Sequence, residues 1–138
     1  MRIAVIDGKG GGIGKSLVER IRAEIPSLEI IALGTNSRAT ENMIRAGATD
    51  GASGENAIVV NVKDVDIIVG PIAILNANSM LGELTPKMAE AIGNSKAYKI
   101  LLPLNRCNIQ VVSVVSRGLT DHIENAVIAI KEQLEKSS

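Results

Sequence analysis

The chain has 138 residues and a mass of 14.5 kDa, a length that suits one compact unit with a genuine core. Hydrophobic residues make up 46% of it but aromatics only 1%, with Tyr98 alone and no Trp or Phe, which excludes modules that stack bases on an aromatic platform. Fifteen Lys and Arg balance fifteen Asp and Glu, so no bulk charge draws the chain to nucleic acid or an anionic membrane, and one Cys with one His excludes a common structural zinc site and an internal disulfide.

The opening apolar run is too short for a signal peptide or a spanning helix, and a cytoplasmic location is expected. Residues 3–6 are β-branched and apolar, bounded by Asp7-Gly8, and read as a buried strand. Past the glycines, Ile13, Leu17, Val18, Ile21 and Ile25 recur at helical spacing, and Pro26 ends that helix. Residues 28–33 are a second strand stopped by Gly34, and residues 35–37 cap a helix that reaches about Ala46. A weak third strand is expected over 48–52, a helical turn from Ser53 or Gly54 to Val62, and a fourth strand over 66–69. Residues 70–82 are apolar but without a period, so they either cover a pocket or meet another subunit. Thr85-Pro86 caps a helix expected to stop at Gly93. A fifth strand is expected over 99–104 and a sixth over 109–115. The last helix carries Ile123, Val127, Ile130 and Leu134 inward, and Asp121 with Glu124 spells a capping box at its start.

Strands alternating with helices, several of them wholly apolar, predict an α/β fold. The expectation is a Rossmann-like three-layer sandwich with a mainly parallel sheet of about six strands, residues 1–138 forming a single domain.

The clearest chemical signal is the loop Asp7-Gly8-Lys9-Gly10-Gly11-Gly12-Ile13-Gly14-Lys15-Ser16, placed between a strand and a helix. Glycines let backbone N–H groups approach an anion, the helix start adds partial positive charge, and Lys9 and Lys15 add formal charge. A phosphate is the natural guest. The Walker pattern requires its first glycine at position 9, which is Lys9, so the loop resembles a P-loop with one extra glycine. Asp66, the candidate for a magnesium carboxylate, stands at the wrong end of its strand.

Gly8, Gly12 and Gly14 resemble the nucleotide fingerprint of short-chain dehydrogenases, which implies NAD or NADP as cofactor. That family usually has Thr where this chain has Asp7, and the carboxylate suits the loop only by capping its own N–H groups. The family's Tyr and Lys pair is missing, since Leu102 stands four residues after Tyr98, which then reads as a packing residue. The second strand ends without the acidic residue that reads ribose hydroxyls in NAD sites. Thr35, Asn36, Ser37 and Arg38 stand there instead, and Ser37 with Arg38 suits a 2′-phosphate, favouring NADP.

The chain also resembles a family of short bacterial proteins of unknown function. The likeness is carried by the loop, by residues 32–37 (Ala-Leu-Gly-Thr-Asn-Ser), and by the stretches at 54–58 and 103–108.

Ligands of open α/β sheets sit beyond the carboxyl ends of the strands. The polar residues expected there include Ser53, Glu55 and Asn56, then Asn76, Asn78, Ser79 and Asn105. The expected site is therefore residues 8–15 and 35–38 with Asn76, Asn78, Ser79 and Asn105, and no metal. Cys107 beside Arg106 is a candidate nucleophile, with His122 its one possible imidazole partner. The leading expectation is a homo-oligomeric cofactor-binding or sensing module. Two alternatives stay open: a small oxidoreductase completed across a dimer, and a P-loop-like ATP or GTP binder.

Overall fold

Alternate residues of a strand point to opposite faces, and in the first strand both sets are buried. Ile3 and Val5 join one apolar cluster, Ala4 and Ile6 another. That is the burial of a strand sandwiched between two helical layers. The computed structural model describes residues 1–104, 108–115 and 118–137.

In chain order the elements are β1 (Arg2–Asp7), α1 (Gly12–Glu24), β2 (Glu29–Gly34), α2 (Ser37–Arg45), β3 (Asp50–Ser53) and α3 (Glu55–Asn61). They continue with β4 (Ile67–Pro71), a 3-10 turn (Ile72–Leu75), α4 (Pro86–Asn94), β5 (Tyr98–Leu102) and α5 (Leu119–Lys136). The sheet has the order β3-β2-β1-β4-β5, and every pairing is parallel. Leu17, Val18 and Ile21 of α1, Met43 of α2, and Ile123, Val127 and Ile130 of α5 close one face. Ile58 of α3 with Met88 and Ile92 of α4 closes the other. This is a Rossmann-like α/β sandwich. Its chain winds outward from β1 in one direction through β2 and β3, then returns to β4 on the other side. The crevice between the carboxyl ends of β1 and β4 is the topological switch point.

Four expectations need correction. The sheet has five strands among the described residues, not about six. Residues 109–115 form no strand, with a turn at 112–113, and Val112 and Val115 are 77% and 66% exposed. The helix α4 does not stop at Gly93 but runs through it to Asn94. The expected capping box of α5 does not form: the helix begins at Leu119 with Gly118 as its cap and no side-chain cap bond. Glu124 turns instead to Arg20 on α1, with Nε to Oε1 at 2.6 Å and Nη2 to Oε2 at 3.1 Å, tying the two helices of one layer together. Arg20 holds the Glu124 carboxyl below its usual range through that hydrogen bond.

The Thr85 cap holds as expected. Its Oγ1 accepts the Met88 N–H at 3.2 Å, with Pro86 at the first helical position.

Candidate functional site

The glycine loop leaves β1 at the switch point and is fastened from three sides. Asp7 is buried, and its carboxylate accepts the Gly8 N–H at 2.8 Å and the Gly14 N–H at 2.7 Å. The carboxylate therefore caps the loop and the first turn of α1. Helix α2 holds the loop by its carbonyls. Asn36 Nδ2 donates to the Lys9 carbonyl at 2.9 Å, and Asn42 Nδ2 to the Gly10 carbonyl at 2.8 Å. Gly11 takes φ +70°, and a Cβ there would lie 2.8 Å from the Ala39 backbone, so only glycine lets α1 begin this close to α2. Within α1, the N–H groups of Gly12 and Ile13 precede the helix's own bonding and have no helical acceptor.

The third fastening is a carboxylate that no local motif points to. Glu83 Oε1 accepts from Thr35 Oγ1 at 2.6 Å, Asn36 Nδ2 at 2.8 Å and the Lys9 N–H at 2.9 Å. Three donors from the end of β2 and from the glycine loop converge on one oxygen. The Thr35 hydrogen bond, ahead of those from Lys9 and Asn36 and the Lys9 charge, holds the Glu83 carboxyl below its usual range against partial burial.

Glu83 arrives on a segment that crosses from β4 over the end of β1. Asn78, Met80 and Leu81 all have positive φ, a left-handed conformation costing roughly 1–2 kcal/mol for each such residue. The surrounding bonds over-determine it. The Asn78 N–H donates to the Leu84 carbonyl at 2.7 Å, and Ser79 Oγ to the Ala73 carbonyl at 2.7 Å. The segment lies directly on Gly8, where a Cβ would stand 2.5 Å from both Met80 Sδ and Thr35 Oγ1.

Between loop and segment lies a cleft of about 520 Å³. One wall is glycine loop and Ile13; the other is aliphatic, made by Pro71, Ala73, Met80, Leu81, Leu104 and Leu119. Its polar end lies against the loop, and its apolar part lies on the β4 side. The apolar segment over 70–82 thus covers a pocket, one of its two expected roles, and Leu81 at its tip is 93% exposed.

A family model described as Domain of unknown function (DUF3842) matches residues 2–135. The chain belongs to this family. No curated protein matches it. Among solved structures it is similar to a dodecameric FMN-dependent Ubix-like decarboxylase from Escherichia coli O157:H7, with 12% identity and a TM-score of 0.48, over 98% of this chain and 94% of that one.

In this DUF3842 chain the expected site residues divide into groups. Gly8, Lys9, Gly10, Gly11, Gly12 and Ile13 line the cleft. Gly14 lies beneath it, its N–H given to Asp7, and Lys15 is exposed on α1 away from the lining. Thr35 and Asn36 meet at Glu83, whereas Ser37 and Arg38 are exposed on the first turn of α2. Asn76, Asn78 and Ser79 belong to the covering segment, and none of them lines the cleft; Met80 and Leu81 do. Asn105, Arg106 and Cys107 lie outside the described residues.

Several rim residues serve the scaffold. Ser53 donates to Thr40 Oγ1 at 2.7 Å, and Thr85 Oγ1 donates to Glu55 Oε2 at 2.5 Å, joining α4 to α3. Asp66 is at the amino end of the sheet, where its Oδ2 accepts the Arg2 N–H at 2.8 Å, so it stands remote from the glycine loop. Tyr98 opens β5 but is 53% exposed, so it packs less than expected. Among the described residues no group of His, Cys, Asp and Glu is arranged to hold a metal ion, and no helix is long and apolar enough to cross a membrane.

Proposed function

We propose that the cleft binds a nucleotide, with a phosphate or pyrophosphate against the glycine loop and a planar base in the aliphatic part. The observation that carries this reading is the direction of the loop. Asn36 and Asn42 draw the carbonyls of Lys9 and Gly10 toward α2, and the loop and the first turn of α1 line a cleft at the switch point. Backbone N–H groups at a helix start, with Lys9 beside them, suit an anion. Apolar walls suit a ring that stacks on aliphatic side chains, the one kind of surface this chain has in quantity.

The cleft is polar at the loop and apolar toward β4, while the Glu83 carboxylate, held by Thr35 and Asn36, stands on the β2 side of the loop. That two-sided layout fits a dinucleotide, and the pyridine dinucleotides remain the leading class. The described lining binds rather than reacts: the Asp7 carboxylate is given to capping bonds, and Met80 occupies the wall where Ser79 was expected. The protein is therefore read as a cofactor-binding or sensing module. Homo-oligomerisation belongs to the same reading, supported by Leu81, Val112 and Val115, large apolar residues that this chain leaves to solvent.

A thermal-shift panel of NAD, NADP, ATP and GTP, with and without magnesium, tests it. Stabilisation by dinucleotides without magnesium is expected. Stabilisation by triphosphates with magnesium alone overturns the dinucleotide reading in favour of the altered P-loop, and no stabilisation by any of the four overturns the nucleotide site.

A further inference from the structure

The end of β2 lacks the acidic residue that reads ribose in dinucleotide folds, yet a carboxylate is there. We propose that Glu83, carried in from the segment after β4 and bonded to Lys9 at the border of the cleft, is its ribose-reading carboxylate, and that it selects ligands with free ribose hydroxyls over those with a 2′-phosphate. The inference rests on the nucleotide reading above and deepens it.

Position is the first support. Glu83 Oε1 is held by Thr35 and Asn36, the two residues that follow β2, and by the N–H of Lys9, the residue after the first loop glycine. Those three anchors come from two strand ends that are adjacent in the sheet, with Asp7 paired to Gly34. Oε1 lies 2.9 Å from the backbone nitrogen of Lys9, a residue that lines the cleft, so the corner adjoins the loop.

Chemistry is the second support. All three donors use Oε1. Among the described residues Oε2 makes no hydrogen bond, and an ionised carboxylate oxygen accepts from hydroxyl groups but has nothing to donate. Ribose hydroxyls satisfy it. A 2′-phosphate brings acceptor oxygens and like charge against a carboxylate already kept ionised by its neighbours. The residues expected to welcome that phosphate, Ser37 and Arg38, are exposed on the first turn of α2 and form no bond with this corner.

The test compares NAD and NADP by titration calorimetry on the wild type, Glu83→Gln and Arg38→Ala. Hydrogen bonds to a charged group contribute about 1.5–3 kcal/mol, so the wild type is expected to bind NAD roughly 10- to 100-fold more tightly than NADP. Glu83→Gln is expected to remove most of that ratio, by weakening NAD and relieving the repulsion of NADP. Arg38→Ala is expected to leave the ratio unchanged. Equal affinity of the wild type for both cofactors overturns the inference and leaves the nucleotide site standing. So does a Glu83→Gln protein with lowered thermal stability and an unaltered ratio, which marks Glu83 as a structural latch only. Should Glu83→Gln not fold, the wild-type ratio alone decides. Binding of neither cofactor overturns the inference together with the dinucleotide reading.

Discussion

Asp7 Oδ2 accepts the Gly14 N–H at 2.7 Å across the glycine loop, so the turn between β1 and α1 is closed by the last residue of β1. The second oxygen takes the Gly8 N–H. A buried carboxylate beside the proposed anion site is unfavourable by charge, and the two N–H groups it satisfies explain why it is tolerated there. Asp7→Ala leaves those donors unpaired in a buried position. It is expected to cost roughly 2–3 kcal/mol in urea unfolding. Asp7→Asn keeps an acceptor and removes the charge, so it is expected to lose less stability and to bind nucleotide no more weakly than the wild type. A large loss of affinity in a folded Asp7→Asn protein contradicts the capping role.

How much of this was readable beforehand follows from sequence distance. The glycine loop is local, and its place after a strand and before a helix is read directly from its spacing. The Thr85-Pro86 cap is local too. Residues 109–115 mislead because β-branched residues express strand preference only against a partner strand, and Val112 and Val115 have solvent instead. Asp121 and Glu124 have the spacing of a capping box, but spacing does not reveal that Arg20, 104 residues away, competes for Glu124. Glu83 is 48 residues from Thr35, and nothing near either residue signals the meeting. The fold was thus legible from periodicity and punctuation, while the corner that completes the candidate site depends on tertiary contact.

Gly8→Ala tests the contact between the covering segment and the loop. The added Cβ falls 2.5 Å from Thr35 Oγ1 and from Met80 Sδ. The Met80 chain can swing away, but turning Thr35 breaks its 2.6 Å bond to Glu83. Overpacking of this kind costs about 1–3 kcal/mol. The expected outcome is a lower thermal midpoint with faster proteolysis confined to the segment around Leu81, mapped by mass spectrometry. An unchanged midpoint shows that the segment does not rest on Gly8.

Thr85→Ala removes one bond from the start of α4 and one from α3. Loss of an N-cap hydroxyl costs about 1 kcal/mol. Here the same Oγ1 also donates to Glu55 Oε2, so the loss is expected to exceed that of a solvated cap. Thr85→Ser keeps the hydroxyl and is expected to recover most of the stability. Equal denaturation midpoints for the Ala and Ser variants contradict the dual role.

Acid is expected to loosen the Glu83 corner. Glu83 lies below its ordinary 4.5 in the folded protein, chiefly through the Thr35 bond. A carboxyl whose folded value is depressed binds fewer protons than in the unfolded chain, so its stabilisation is complete above the unfolded value and is lost as pH falls through the folded one. The difference in stability between wild type and Glu83→Gln is therefore expected to be constant from about pH 7 to about pH 5 and to shrink below about pH 4.5. Asp7 is present in both proteins and cancels in the difference. Urea unfolding at a series of pH values measures it. A difference that grows on acidification, or one that is already absent at neutral pH, shows that Glu83 is not held as a carboxylate by Thr35, Asn36 and Lys9.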